Sequence, residues 1–414
     1  MQEYHFKCIG CGAEYPEAER LYFCPRCGDL LDVIYKLGDE VNQIPWLKNY
    51  DRRPLVVWRY RELLPVRDYE KIVSMNEGGT RLIRCRNLEK ELGVKEIYVK
   101  YEGDNPTGSF KDRGMTVGVT KAVEAKAETT ICASTGNTSS SLAAYSARAG
   151  LNCIVLVPSK RIALGKLSQA LIHGARVLAV TGGFDDCLRI VKELSKDERF
   201  YLLNSINPFR LEGQKTAAYE IYEQLGGSAP DYLLIPIGNA GNIVAYWKGF
   251  KDLRNLGLID ELPRFMGVQA AGAPPIYKAF IEGAEKIKPV ESVETVATAI
   301  RIGNPVNWKR ALRAVRETNG LVEAVTDEEI LQAQRILASR EGVFAEPAGA
   351  APIALLFKAV RRGVIDPDSR VVCIATGHGL KDPDIVLKSS RNLVEVDART
   401  DSVLNALGVA AKTL

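Results

Sequence analysis

Residues 105 to 114 read Asn105-Pro106-Thr107-Gly108-Ser109-Phe110-Lys111-Asp112-Arg113-Gly114 and set one lysine in a small, tightly turned, polar segment. An ordinary lysine ammonium has a pKa of about 10.4 and is a solvated surface cation. Behind Phe110 and a Pro-Thr-Gly turn, desolvation and the flanking Arg113 would both favour the neutral, nucleophilic amine. A neutral amine held in a pocket is what condensation with an aldehyde cofactor requires. The same ten residues also read as a turn followed by a helix start with an exposed lysine.

Three other polar segments have residue types that could serve such a lysine. Ser134-Thr135-Gly136-Asn137-Thr138-Ser139-Ser140-Ser141 precedes a helix expected from about Leu142, where small hydroxylated residues and free backbone N–H groups suit a carboxylate. A capping residue in a serine-rich turn is the plainer reading. Gly238-Asn239-Ala240-Gly241-Asn242-Ile243 leads into a helix expected from Val244 to Leu253, and its glycines let amides and the positive helix end approach a phosphate. Taken alone it reads equally as an ordinary strand-to-helix turn or part of a nucleotide site. In Thr376-Gly377-His378-Gly379-Leu380-Lys381-Asp382-Pro383, Thr376 can offer one hydroxyl to a ring nitrogen. His378 reads either as a catalytic group or as a structural hydrogen-bond partner.

Four cysteines form a separate unit. Cys8-Ile9-Gly10-Cys11-Gly12 and Cys24-Pro25-Arg26-Cys27-Gly28 are two C-x-x-C-G knuckles, each able to bring two thiolates to one ion, so that together they complete a tetrahedral structural zinc site. A redox dithiol or four unmetallated buried thiols are the alternatives. A closed four-cysteine site leaves no position for substrate, which makes it a folding staple. Cys85, Cys132, Cys153, Cys187 and Cys373 lie mostly in apolar runs and are expected in the core.

The elements that must position these groups are legible as an alternation. Short apolar, β-branched runs at 96–100, 130–133, 153–157, 176–180, 233–237, 265–268 and 371–375 read as strands. Most are separated by helical periodicity, as in Asp186 to Leu194 and Thr216 to Leu225. This pattern predicts an α/β fold with parallel sheets covered on both faces and ligands at the carboxyl ends of the strands. At 414 residues the chain has room for two or more domains. A net charge of +4 from 55 basic and 51 acidic residues writes no general attraction to nucleic acid or membrane into it. No run approaches the ~20 apolar residues needed to cross a bilayer. Met1-Gln2-Glu3-Tyr4-His5 has no basic or apolar leader character, and nine scattered cysteines suit a reducing compartment; the expected location is cytoplasmic.

The motifs carry a resemblance. N-P-T-G-S-F-K-D-R-G, S-T-G-N-T-S, N-P-F-R-L-E-G-Q-K-T (Asn207 to Thr216), G-N-A-G-N, A-T-A-I-R-I-G-N-P (Ala297 to Pro305), F-A-E-P-A (Phe344 to Ala348) and T-G-H-G-L-K-D-P occur in this order. Together they resemble the threonine synthases, a family of the pyridoxal-phosphate fold type II superfamily that also holds the tryptophan synthase β chain. The resemblance covers roughly residues 75 to 390. It implies two doubly wound domains preceded by a zinc-ribbon-like segment: residues 1–45 for the ribbon, 46–112 and 207–414 for the large cofactor-binding domain, and 113–206 for the small substrate-side domain.

It also implies residue roles. Lys111 matches the lysine that bonds pyridoxal 5'-phosphate covalently and shuttles protons, Asn137 the partner of the phenolic oxygen, Gly238, Asn239, Ala240, Gly241 and Asn242 the phosphate loop, and Thr376 the partner of the ring nitrogen. The implied substrate is O-phospho-L-homoserine, turned to L-threonine and phosphate by γ-elimination and β-addition of water. Ser134, Thr135 and Thr138 suit its carboxylate, with Thr138 alternatively on the phosphate; Asn204, Ser205 and Arg210 suit the phosphate. Arg210 reads otherwise as an ion pair with Glu212. A homodimer with a structural zinc ion, acting on a small molecule rather than nucleic acid or membrane, is the expected whole. Cysteate synthase and threonine dehydratase, of the same superfamily, are the nearest alternatives. A nucleic-acid module fused to a degenerate enzyme, or a non-catalytic regulator, stands further off. Arg81 stands where relatives commonly have proline, and Gly349 where a small hydroxyl residue is frequent.

Overall fold

The computed structural model describes residues 3–36, 52–159, 164–389 and 394–408, so the boundary expected at residue 45 lies outside the described residues. Two compact units meet in sequence between Lys381 and Asp382. The second carries helices Pro383–Ser389 and Thr400–Ala406. Everything that follows belongs to the first. Among the described residues no helix is long and apolar enough to cross a membrane.

Its strands, in chain order, are β1 (Tyr4–Cys8), β2 (Glu14–Pro16), β3 (Leu31–Tyr35), β4 (Leu82–Arg84), β5 (Glu96–Tyr101), β6 (Thr129–Ala133), β7 (Asn152–Pro158), β8 (Arg176–Val180), β9 (Phe200–Leu202), β10 (Tyr232–Pro236), β11 (Arg264–Ala270), β12 (Leu321–Val325) and β13 (Arg370–Ala375). They form a small antiparallel sheet β2-β1-β3, a six-stranded sheet β12-β11-β10-β13-β5-β4 and a four-stranded sheet β8-β7-β6-β9. The two larger sheets are parallel except where β4 closes an edge antiparallel to β5. Alternate residues explain why the six-stranded sheet is covered twice. Leu233, Ile235, Val372 and Ile374 enter one apolar core, while Leu234, Val371, Cys373 and Val99 enter another on the opposite face. All five cysteines outside the two knuckles are buried.

Several elements differ from the sequence expectation. The helix expected from Leu142 is Asn137–Ala149, because Ser139 and Ser140 turn their hydroxyls onto the Gly136 carbonyl and lie inside the helix. The helix expected from Thr216 is Pro208–Gln224 and starts eight residues earlier, capped by Asn207, whose Oδ1 accepts the Phe209 N–H, with Pro208 at the first helical position. Its residues 208–221 are all buried, so no amphipathic period marks it. The helix after the 238–242 loop runs Gly241–Asn255. Strands β4 and β9 are three residues long, too short to read from a pattern.

Helices Lys111–Glu124 and Pro208–Gln224 cross at close range. A Cβ on Gly114 would stand 2.8 Å from the Arg210 carbonyl oxygen, and one on Gly213 would collide with that of Arg113. Glycine at both positions therefore brings the helix that begins at Lys111 against the helix that carries Arg210.

Candidate active site

Lys111 is the first residue of its helix, and the turn before it is built from both directions. Thr107 donates its N–H and its hydroxyl to Asp112 (2.7 and 2.6 Å), and Ser141 donates to the same carboxylate (2.5 Å). The Phe110 N–H donates to the Thr376 carbonyl (3.1 Å) and the His378 N–H to the Gly108 carbonyl (2.9 Å), which seats the turn on the end of β13. Lys111 is thereby fixed beside Thr376. Its amine lies 4.0 Å from the Phe110 ring centroid. Burial, then the nearby Arg210 charge, lower its pKa to about 7 against the opposing pull of Glu346.

Arg113 does not supply that repulsion, contrary to the sequence expectation. Its guanidinium turns away into a buried network, donating to Glu102 (2.7 Å) and Glu220 (2.6 Å), while Glu220 also takes the buried Lys100 ammonium (2.8 Å). Two carboxylates absorb its charge. The cation that acts on Lys111 comes from a different helix, and no local spacing could have named it.

Glu346 is the residue the sequence reading left without a role. It is buried, and it gathers two of the expected cofactor ligands: Asn137 Nδ2 donates to its oxygens at 3.0 and 3.2 Å, and the Thr376 hydroxyl donates to Oε1 at 2.9 Å. The stretch F-A-E-P-A was the available signal. Gly349, one turn further along the helix Pro347–Arg361, has no room for a side chain, since a Cβ would stand 2.9 Å from the Thr376 nitrogen.

The 238–242 loop follows β10 at its carboxyl end, beside β13. Ala240 holds a left-handed backbone at φ 63°, which an alanine adopts only under constraint. Neither amide atom of the buried Asn242 has a partner among the described residues, and the buried Ser109 hydroxyl has none either. Buried polar atoms without partners are costly. These unpartnered donors and acceptors, with a near-neutral lysine, are of the types that an aldehyde carrying a phosphate would engage, so the donor set fits such a group.

The residues expected to meet the substrate's anionic groups lie at the carboxyl end of β6 and beyond. Ser134, Thr135 and Thr138 are half-buried around the start of helix Asn137–Ala149. Asn204 pairs with the Ala133 backbone in both directions at 2.9 Å, which holds Ser205 next to that segment and leaves one amide hydrogen free. Arg210 is buried, its Nη1 donates only weakly to the Leu203 carbonyl (3.4 Å), and its Nε has no partner among the described residues. Burial lowers its pKa to about 10. The ion pair with Glu212 does not form: Glu212 instead takes Lys215 (2.9 Å), Lys248 (2.6 Å) and the Tyr35 hydroxyl (2.6 Å). A buried guanidinium without a carboxylate partner is set for an anionic ligand.

A family model described as pyridoxal-phosphate dependent enzyme matches residues 73–377. A threonine synthase of Methanocaldococcus jannaschii is 57% identical over 394 residues, spanning 94% of this chain and 96% of its own. One from Methanosarcina acetivorans is 53% identical over 409 residues, 99% of this chain and 100% of its own. The chain belongs to the threonine synthase family of pyridoxal-phosphate-dependent enzymes. Among solved structures it is similar to diaminopropionate ammonia lyase from Escherichia coli, with a TM-score of 0.65 and 17% identity over 78% of this chain and 90% of that one. Maize serine racemase has a TM-score of 0.62 at 20% identity, over 75% and 91% of the two chains. These likenesses show the fold alone.

Two residues left open in this threonine synthase family member now have surroundings. His378 accepts the Leu380 N–H on Nδ1 (3.1 Å) and packs between the rings of Tyr101 and Phe344, a structural setting. Arg81 is exposed, paired with Asp104 (2.6 Å) and laid over the Tyr101 ring.

The four knuckle sulfurs all lie within 4.8 Å of one another, with Cys8–Cys27 at 3.4 Å and Cys11–Cys24 at 3.6 Å. Four sulfurs each about 2.3 Å from one ion are held at such separations in a tetrahedral site. Gly12 and Gly28, at φ 71° and 73°, make the backbone curl that each knuckle needs.

Proposed function

We propose that the protein converts O-phospho-L-homoserine and water to L-threonine and phosphate, the last step of threonine biosynthesis. The observation that carries this reading is the pairing of a half-buried lysine, its amine desolvated and held near neutrality, with a buried arginine that has no carboxylate partner. Pyridoxal phosphate, when bound at Lys111, supplies the electron sink that makes protons at the substrate's Cα and Cβ removable. Gly238 to Asn242 would hold its phosphate, Asn137 its phenolic oxygen and Thr376 its ring nitrogen.

The chain's own groups then divide the work. Lys111, whose lowered pKa leaves a large share of the amine unprotonated near neutral pH, takes the proton from Cα and returns it to the same atom. Arg210, Ser205 and Asn204 receive the phosphate, and Arg210 stabilises the charge that builds on it as it leaves Cγ. Ser134, Thr135 and Thr138 orient the α-carboxylate, so that Cα faces the lysine.

The four cysteines are proposed to hold a structural zinc ion; their sulfur spacing supports it. The division into 1–45, 46–112 with 207–414, and 113–206 is proposed as the domain plan, with a cytoplasmic homodimer as the working form. Sedimentation at micromolar concentration checks the dimer. For the activity, O-phospho-L-homoserine should yield phosphate and threonine in equal amounts, and Lys111→Ala should abolish both together with the visible absorbance of bound cofactor. Phosphate release without threonine, or product formed only when sulfite is supplied, would refute the assignment in favour of a neighbouring activity.

A further inference from the structure

Asn307 lies where the two phosphate regions are joined. It is fully buried; its backbone N–H donates to the Asn239 carbonyl (3.2 Å) and its Nδ2 donates to the Ser205 carbonyl (3.4 Å). Its Oδ1 accepts from Arg310 Nη2. Arg310 is also buried, and its Nη1 stands 3.5 Å from Oδ1 of Asp32 in β3, the strand that follows the second cysteine knuckle. Asp32 is held in turn by Lys248 (2.8 Å), which reaches Glu212 (2.6 Å) two residues from Arg210.

The order of these contacts follows from charge and geometry. A guanidinium without a counter-charge cannot remain buried at low cost; Asp32 supplies that charge at 3.5 Å without a hydrogen bond, and the Asn307 oxygen is the hydrogen-bond partner that orients the group. The planar fork then aims one N–H at Asn307, and an arginine donor can meet only the oxygen of an amide. That choice turns the amide nitrogen toward Ser205. The neighbouring stretch closes the other side, where a Cβ on Gly238 would stand 2.9 Å from the Ala299 carbonyl oxygen.

We infer that Asn307 and Arg310 are positioning residues that hold loop 238–242 and Ser205 in one register, and that Asp32 of the four-cysteine segment sets this register from outside the site. The inference rests on the proposed reading in which these two regions take the cofactor phosphate and the substrate phosphate. A charge in the cysteine segment would thus act on both affinities at once.

The test measures two affinities that need no turnover: pyridoxal phosphate binding to cofactor-free protein, and inorganic phosphate binding to the holoenzyme by calorimetry. Arg310→Gln is expected to weaken both about tenfold and to raise KM similarly, with kcat at saturation within about threefold. Asp32→Asn is expected to weaken both in the same direction by less, and the double variant to lose less than the two single losses combined. If Arg310→Gln does not fold, Asp32→Asn carries the test alone. Losses confined to one site, losses that combine independently, Asp32→Asn within about twofold of the parent at both sites, or lowered thermal stability with both affinities kept would each overturn the inference. Because neither affinity depends on product, absence of threonine formation would refute the proposed function and leave this test standing.

Discussion

At Lys111 the chemistry is set first by burial and then by a neighbour that the local sequence does not contain. The amine's pKa lies near 7 because burial strips its hydration and Arg210 adds repulsion. A lysine depressed in this way carries its proton less often folded than unfolded, so between about pH 7 and 10 the unfolded chain binds the extra proton and stability rises with pH. Capture of pyridoxal phosphate by cofactor-free protein should climb through pH 7 and level off above it, followed by stopped-flow absorbance. Arg210→Met should move that climb upward. A climb centred near the ordinary lysine value in the parent protein would contradict the assignment. The sequence singled out Lys111 through its turn, but named Arg113 as the charged neighbour; adjacency along a helix says nothing about direction, and Arg113 points to Glu102 and Glu220.

Between elements, the same glycines that look like turn residues in the motifs serve as contact points. Gly114 and Gly213 let two buried helices touch, and the Arg113, Glu102, Glu220 and Lys100 network locks that crossing to β5. Glu220 is held at a pKa of about 2, with Arg113 and then Lys100 outweighing its burial. Its folded value is depressed, so its contribution is present above about pH 4.5 and is lost as pH falls toward 2. Glu220→Gln leaves two buried cations short of a counter-charge and should cost about 3 kcal/mol or more in urea unfolding at neutral pH. A loss under about 1 kcal/mol would mean the network contributes little to stability. Helix Pro208–Gln224 was legible only in its second half, because a helix buried on all sides carries no polar face to reveal its period.

Over the whole molecule the small antiparallel sheet with its four cysteines is stitched to both larger sheets. Arg20 donates to the Glu198 and Phe200 carbonyls and the Tyr22 hydroxyl accepts the Leu202 N–H, on the side of the four-stranded sheet. Asp29 and Asp32 meet Lys309 and Lys248 on helices of the six-stranded one. If zinc holds the knuckles, purified protein should contain about one ion per chain, and a strong chelator should lower the thermal midpoint by several degrees. Metal content far below that, with unchanged melting after chelation, would remove the ion from the account. The sequence alone determined the parts whose information is local: two knuckles of fixed spacing, a lysine in a tight polar turn, a glycine loop at a strand end, and the alternation that implies parallel sheets. Tertiary structure decided what depends on distant residues. It set Arg210 rather than Arg113 against the lysine, gathered Asn137 and Thr376 on Glu346, and joined Asn239 to Ser205 through Asn307. Burial and electrostatics act through space, across helices far apart in the chain, and spacing along the chain records neither.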